Sequence, residues 1–256
     1  MFPLPHLLVV SILLASGGSI RAAESLSVAA AANFVYAIDE LIAEFKRSAP
    51  GVAVTSTTGA SGSLFAQVKN GAPFDVFLSA DTEYPGQLVT AGLGDPTTLR
   101  IFATGRLVLW TTRPDLDVSH PAAAVRSPLV RKLAVAQPRF APYGRAARAA
   151  LEKLEVWTEA QPKIVMGENI TQTAQFVETG NADAGFVALS LVLSPRLANK
   201  GRWTKVPPAL YAGVSLDHAA VLTNRGTRNP AARVFLSFLT SDAAKQILRN
   251  FGYGVE

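Results

Sequence analysis

From Ser25 onward the chain alternates short, continuously apolar runs with stretches whose apolar residues recur every three or four positions. SLSVAAAA (Ser25 to Ala32) has the character of a buried strand, and NFVYAIDELIAEFKR then places Val35, Ile38, Leu41, Ile42 and Phe45 on one helical face. Asn33 stands where the N-cap of that helix belongs. GVAVTSTT predicts a strand, SLFAQVKN a helix stopped by Gly71, and FDVFLSA a short strand. The theme repeats through RLVLWTT, RKLAVA, a helix near Arg145 to Glu155, KIVMG, a helix ending before Gly180, and AGFVALS. The tail adds a strand in AGVSLDHAAVLTN and two helical stretches in PAARVFLSFLTSDAAKQILRNFG. Such alternation predicts βαβ units and an α/β fold.

Four strand-to-helix junctions share one character. They carry Asn33 after AAAA, Ser61 within TGASGS, Tyr143 within RFAPYGRAA, and Asn169-Ile170 within MGENITQTA. In open α/β sheets these junctions lie at the carboxyl ends of the strands, where ligands bind. Each also carries a helix N-terminus, whose free N–H groups and positive dipole end favour an anion. Taken singly, each residue has a structural explanation: Ser and Asn cap helices, Tyr143 packs over the helix that follows, and Ile170 belongs in a core. Periodicity alone therefore stops at an α/β protein with four junctions suited to an anion.

Composition narrows the classes. A chain of 256 residues with 49% hydrophobic content has ample core for one large or two medium domains and is not disordered. Residues 1–23 hold an apolar run of about ten residues followed by small ones, the layout of a secretory signal peptide, with Arg21 near the expected cleavage region. No other segment approaches the roughly 20 apolar residues of a membrane-spanning helix. There is no cysteine, so neither a disulfide framework nor a thiolate metal site is available. The net charge of +5 is unevenly spread: residues 104–215 hold 14 Lys+Arg against 8 Asp+Glu, and the rest of the chain after the leader holds 9 against 11. The basic residues form no run and have no interleaved aromatics, which argues against nucleic acid. A basic half suits attraction of a small anion.

Enzymatic readings find little support. GASGS has Ser63 where the nucleophile elbow needs its last glycine, and it lacks the GK[ST] end of a P-loop. Outside the leader only His120 and His218 occur, neither at metal-ligand spacing. A triad of Ser61, His218 and Asp75 is the one hydrolytic arrangement available in principle. Arg145, two residues after Tyr143, is the one junction arginine that could favour a carboxylate, and it reads as an exposed helix residue.

The strings SVAAAANF, GASGSL, NGAPFDVFLSAD, FAPYGRAARAAL, DAGFVALS and AAKQILRNFGY occur in that order over nearly the whole chain after residue 24. Together they resemble the periplasmic molybdate-binding proteins, the solute-binding components of ATP-driven molybdate and tungstate importers. The GAP-x-D-x-F-x-SAD string is the most specific of them. The resemblance implies a two-lobed periplasmic binding protein, type II-like, each lobe a mixed, mainly parallel sheet flanked by helices, with the ligand in the interlobe cleft. Lobe one would comprise residues 25–103 plus 216–256 and lobe two residues 104–215. It implies no cofactor and no enzyme activity: the metal enters only inside the oxyanion, held through Asn33, Ser61, Tyr143 and Ile170 with no direct ligand to a metal ion. Asn33 and Ser61 correspond to side-chain ligands, and Tyr143 and Ile170 to main-chain N–H donors. The implied partner is the membrane permease of an ABC importer, the location periplasmic and the state monomeric.

One departure stands out. Ala188 occupies the position at which well-known members carry a tyrosine whose hydroxyl reaches the oxyanion, and Tyr143 is a candidate to fill the vacated space. Capture then rests on neutral donors, each charge-assisted hydrogen bond contributing roughly 1.5 to 3 kcal/mol against the cost of dehydrating a dianion. A site made of donors only would favour an unprotonated oxyanion. Sulfate, phosphate or a small carboxylate on the same fold is the alternative.

Overall fold

The structure, a computed structural model, describes residues 24–256; the expected leader lies outside the described residues. Strand β1 (Glu24–Ala31) has no polar face along its second half, where Val28, Ala29, Ala30 and Ala31 are all buried. That is the pattern of a strand covered by helices on both sides. A single 3₁₀ turn (Ala32–Phe34) leads to α1 (Ala37–Ser48), followed by β2 (Val52–Gly59), α2 (Ser61–Lys69), β3 (Val76–Leu78), α3 (Glu83–Thr90) and β4 (Arg100–Thr104). The chain then enters a second sheet. There it forms β5 (Leu107–Thr111), α4 (Pro121–Arg126), β6 (Leu133–Ala136), α5 (Pro142–Lys153), α6 (Trp157–Ala160), β7 (Ile164–Gly167), α7 (Ile170–Glu178), β8 (Ala184–Ala188), α8 (Leu189–Val192) and β9 (Arg202–Lys205). It returns through β10 (Asp217–Leu222) and ends in α9 (Pro230–Phe238) and α10 (Asp242–Asn250).

Two five-stranded sheets result, in the orders β2-β1-β3-β10-β4 and β7-β6-β8-β5-β9. Each has two parallel and two antiparallel junctions. Four strands of each sheet run the same way, so both sheets are mixed and mainly parallel as expected; the exceptions are β5 and β10, which follow the crossovers between sheets and run against their neighbours. Where the crossovers pass each other, Gly105 N–H donates to Leu216 O at 2.8 Å. A Cβ at Gly105 would collide with the Tyr143 hydroxyl and with His218 Cε1, so the close approach there requires glycine.

The expected helix after β1 forms, with Ile38, Leu41, Ile42 and Phe45 buried, but it starts later than the pattern suggests. Asn33 is not its N-cap: it lies in the 3₁₀ turn, and the residue before α1 is Tyr36, without a side-chain cap. The physical reason is an inward pull. Phe34 stacks on Phe102 and Tyr253, with ring centroids 5.5 and 5.1 Å apart, and Asn33 bonds beneath it to His218 and Tyr253.

Candidate functional site

A small pocket lies between the lobes at the carboxyl ends of β1, β2 and β6. Its walls are Ala31, Ala32, Asn33, Gly59, Ala60, Ser61 and Ala80 from lobe one, with Ala141, Pro142, Tyr143 and Ile170 from lobe two. Among the described residues no charged one lines it. All four residues singled out in the sequence are therefore brought together, although the donors they offer differ from the expected set.

Ser61 is the first residue of α2, preceded by Ala60, and its side chain makes no capping bond. Instead Ser61 Oγ accepts from Ala80 N–H at 3.0 Å. That bond uses a lone pair and leaves the hydroxyl hydrogen to donate. Gly62 follows, and its N–H donates to Phe140 O of lobe two at 2.8 Å. A Cβ at Gly62 would stand 2.5 Å from Tyr84 Oη and 3.0 Å from Phe140 Cα. The small residues after β2 thus let the second lobe close on this junction.

Tyr143 and Ile170 begin their helices in the same manner. Pro142 opens α5, so Tyr143 carries the first available N–H. Ile170 opens α7, and the preceding Asn169 caps the N–H groups of Thr171 and Gln172, both at 3.0 Å. Within the described residues the N–H groups of Ser61, Tyr143 and Ile170 have no hydrogen-bond partner, whereas those just after them do. Three helix starts from two lobes thus leave unpaired N–H donors around one uncharged pocket, the arrangement expected of an anion site.

Asn33 departs from expectation. His218 Nδ1 lies 2.8 Å from Leu216 O, and a carbonyl can only accept, so Nδ1 carries the ring proton and Nε2 is an acceptor. Asn33 Nδ2 donates to His218 Nε2 and to Tyr253 Oη, both at 2.8 Å, while Tyr253 Oη donates to Asn33 O at 3.0 Å. Both amide hydrogens are thereby engaged, which leaves none for an anion. Among the described residues the buried Asn33 Oδ1 has no partner. Full burial lowers the His218 pKa to about 4, outweighing the Leu216 carbonyl and Asp217, so the ring is neutral near pH 7. Burial likewise pushes the Tyr143 phenol well above its usual value.

The Tyr143 hydroxyl also has no partner among the described residues, and it ends against Gly105 and His218. Gly105 is two residues before Leu107, the residue paired with Ala188 across β5 and β8. Ala188 itself is fully buried and does not line the pocket. The hydrolytic triad does not assemble: His218 is bonded to Asn33 and Leu216, while Asp75 pairs with Arg225 at 3.0 Å and accepts from Ser27 N–H at 2.8 Å. The reading of Arg145 as an exposed helix residue is corrected too. It is partly buried and reaches across the cleft to Asp81 at 2.5 Å, because the segment Asp81–Tyr84, which leads into α3, lies beside the start of α5. Burial opposes its charge, but Asp81 and Glu83 outweigh that and hold the guanidinium above its ordinary value.

Further bonds join the lobes around the pocket: Thr171 Oγ1 donates to Ala32 O at 2.8 Å and Ser190 Oγ to Asn33 O at 3.0 Å. The sequence offered no signal for Tyr253 or for the bracing of Asn33, since both depend on a C-terminal segment returning beside β4.

Residues 26–254 match the family model described as bacterial extracellular solute-binding protein. The chain is 36% identical over 234 residues to the molybdate-binding protein ModA of Azotobacter vinelandii, covering 91% of each. It is 39% identical over 235 residues to ModA of Rhodobacter capsulatus, covering 92% of this chain and 90% of the relative. The chain belongs to the ModA family of bacterial extracellular solute-binding proteins. In structure it is similar to the periplasmic molybdate-binding protein of A. vinelandii, with a TM-score of 0.84 at 31% identity over 90% of this chain and 99% of that one. The sulfate-binding protein SubI of Mycobacterium tuberculosis shares the fold, with a TM-score of 0.71 at 15% identity over 91% of this chain and 87% of that one. Membership in this family makes the chain a solute-binding protein, not an enzyme.

Proposed function

We propose that this protein captures molybdate, and tungstate with it, in the periplasm and delivers it to the permease of an ABC importer. The observation that carries the reading is the convergence of the unpaired N–H groups of Ser61, Tyr143 and Ile170, with the Ser61 hydroxyl, on one pocket without charge. The relatives named for molybdate add the chemical identity of the anion.

In this reading residues 25–103 plus 216–256 and residues 104–215 move as two lobes, and residues 1–23 are removed on export. The dianion exchanges its hydration for charge-assisted hydrogen bonds, each contributing roughly 1.5 to 3 kcal/mol. Ser61 supplies its hydroxyl and N–H, and Tyr143 and Ile170 supply N–H groups. Asn33 forms the wall and keeps its amide turned to His218 and Tyr253. Since the donors come from both lobes, the anion binds the closed arrangement in preference to the open one, and closure is what the permease reads. A carboxylate ligand is disfavoured because Arg145 is already paired with Asp81. Sulfate stays the second reading, supported by the shared fold of a sulfate binder.

Isothermal titration of the mature protein stripped of ligand, with molybdate, tungstate, sulfate and phosphate at one pH, tests the proposal. Tight binding of the first two without heat from the others is the expected result. Binding of sulfate in place of molybdate would select the second reading, and silence from all four would overturn both.

A further inference from the structure

The pocket is uncharged, yet a charged cluster at its edge joins the two lobes. Arg145, the fourth residue of α5, places Nη2 2.5 Å from Asp81 Oδ2 and 3.2 Å from Glu83 Oε2. Its guanidinium also lies over the Tyr84 ring, 5.4 Å from the centroid. Tyr84 Oη in turn donates to Arg139 O of lobe two at 3.2 Å. The Asp81 side chain is 3% exposed and is braced from its own lobe, accepting from Ser79 Oγ at 2.8 Å and from Tyr84 N–H at 3.2 Å. Asp81 directly follows Ala80, which lines the pocket and bonds to Ser61, and Arg145 stands two residues after Tyr143.

We propose that Arg145 is a positioning residue for anion capture: its ion pair with Asp81 and Glu83 clasps the lobes over the pocket and cancels a carboxylate that would otherwise repel the entering anion. The inference rests on the oxyanion reading above. An exposed pair would contribute little to closure. Here one partner is almost fully buried and held in place by its own lobe, so removing the cation leaves a desolvated charge without compensation. Opening the cleft separates the pair as well, which favours the closed arrangement even before ligand arrives. Apparent affinity scales with the fraction of molecules competent to bind, so a clasp that raises the closed population raises affinity without touching the ligand. The cation–π contact and the fork of two carboxylates suit arginine better than lysine.

The chain has no cysteine, so Thr90→Cys on α3 and Lys153→Cys at the end of α5, both exposed, accept a pair of spin labels specifically. Interlobe distances are measured without ligand, and molybdate affinity by titration, in the parent, Arg145→Gln, Arg145→Lys, Asp81→Asn and the Arg145→Gln/Asp81→Asn double variant. Arg145→Gln is expected to weaken molybdate binding at least tenfold and to shift the ligand-free distances toward longer values. Arg145→Lys is expected to fall between it and the parent, and the double variant to bind more tightly than Arg145→Gln alone. Unchanged affinity and distances in Arg145→Gln would overturn the proposal, as would a loss that Asp81→Asn does not relieve. If the parent bound no oxyanion, the functional reading would fail while the ligand-free distances would still decide whether Arg145 holds the lobes closed.

Discussion

Lobe one brings to the pocket a side-chain donor, the Ser61 hydroxyl, together with an Asn33 amide held by neutral His218 and by Tyr253. Lobe two brings only main-chain N–H groups, those of Tyr143 and Ile170, whose side chains are buried in the fold. The first arrangement depends on residue identity and on protonation, and the second on where two helices begin. Charge is unevenly spread as well, since the basic excess lies in residues 104–215, yet among the described residues no cation of that excess lines the pocket. The proposed way of holding an anion would have two kinds of vulnerability, and each can be tested apart from the other.

The largest expected effect lies under lobe one and concerns pH. His218 has a folded pKa lowered to about 4 by burial, against an ordinary value near 6.5. As pH falls the unfolded chain takes up this proton first, so the stabilisation is fully present above pH 6.5 and is lost progressively toward pH 4, below which it levels off. The difference corresponds to about 3 kcal/mol. Guanidinium unfolding at a series of pH values between 7 and 4 should show this loss, and His218→Asn should flatten that part of the curve. A parent profile identical to that of His218→Asn would remove His218 as the cause.

Within the pocket, Ser61→Ala removes a hydroxyl donor and also strands the buried Ala80 N–H. Affinity for the anion should fall roughly 10- to 100-fold, the equivalent of about 1.5 to 3 kcal/mol, and the protein should lose about 1 to 3 kcal/mol of stability. The matching change in lobe two must act on the backbone. Ile170 is the first residue of α7, where proline is tolerated, and Asn169 before it is extended at φ −147° and ψ 175°. Ile170→Pro therefore deletes one N–H while keeping the helix, and it should cost about 1.5 to 3 kcal/mol in binding. Ile170→Ala keeps the N–H and should bind within about threefold of the parent, with only stability reduced by lost packing. Titration and thermal unfolding on the three variants separate the cases; an Ile170→Pro variant that binds like Ile170→Ala would mean that this N–H does not serve the ligand.

The same division explains what was legible in the sequence. Buried strands such as SLSVAAAA and the helix face of Ile38, Leu41, Ile42 and Phe45 announce themselves because hydrophobic periodicity is a local property. Ser61, Tyr143 and Ile170 could be placed at one end of the sheets because strand-to-helix order fixes where junctions lie. The hydrogen bonds of Asn33 could not be read, since they are set by His218 and Tyr253, which stand 185 and 220 positions away in the chain. Arg145 escaped for a similar reason: on α5 alone it is a surface residue, and only the approach of the segment Asp81–Tyr84 supplies Asp81 and Glu83. Local pattern specifies elements and their order, whereas the partner of a polar side chain depends on which lobe arrives beside it.

Tyr143 gives the smallest effect and the sharpest contrast, because it holds both kinds of group at once. Its N–H belongs to the pocket, while its hydroxyl is buried against Gly105 without a partner. A buried hydroxyl that makes no hydrogen bond costs roughly 1 to 3 kcal/mol, and phenylalanine removes the hydroxyl while keeping the ring. Tyr143→Phe should therefore raise stability by about 1 kcal/mol, a few degrees in Tm for a chain of this size, and leave affinity within about twofold. Were the hydroxyl a substitute for the tyrosine missing at position 188, the same variant would instead lose binding by about tenfold or more. Differential scanning fluorimetry and titration on this one variant decide between a ring that packs against Gly105 and His218 and a hydroxyl that reaches the anion.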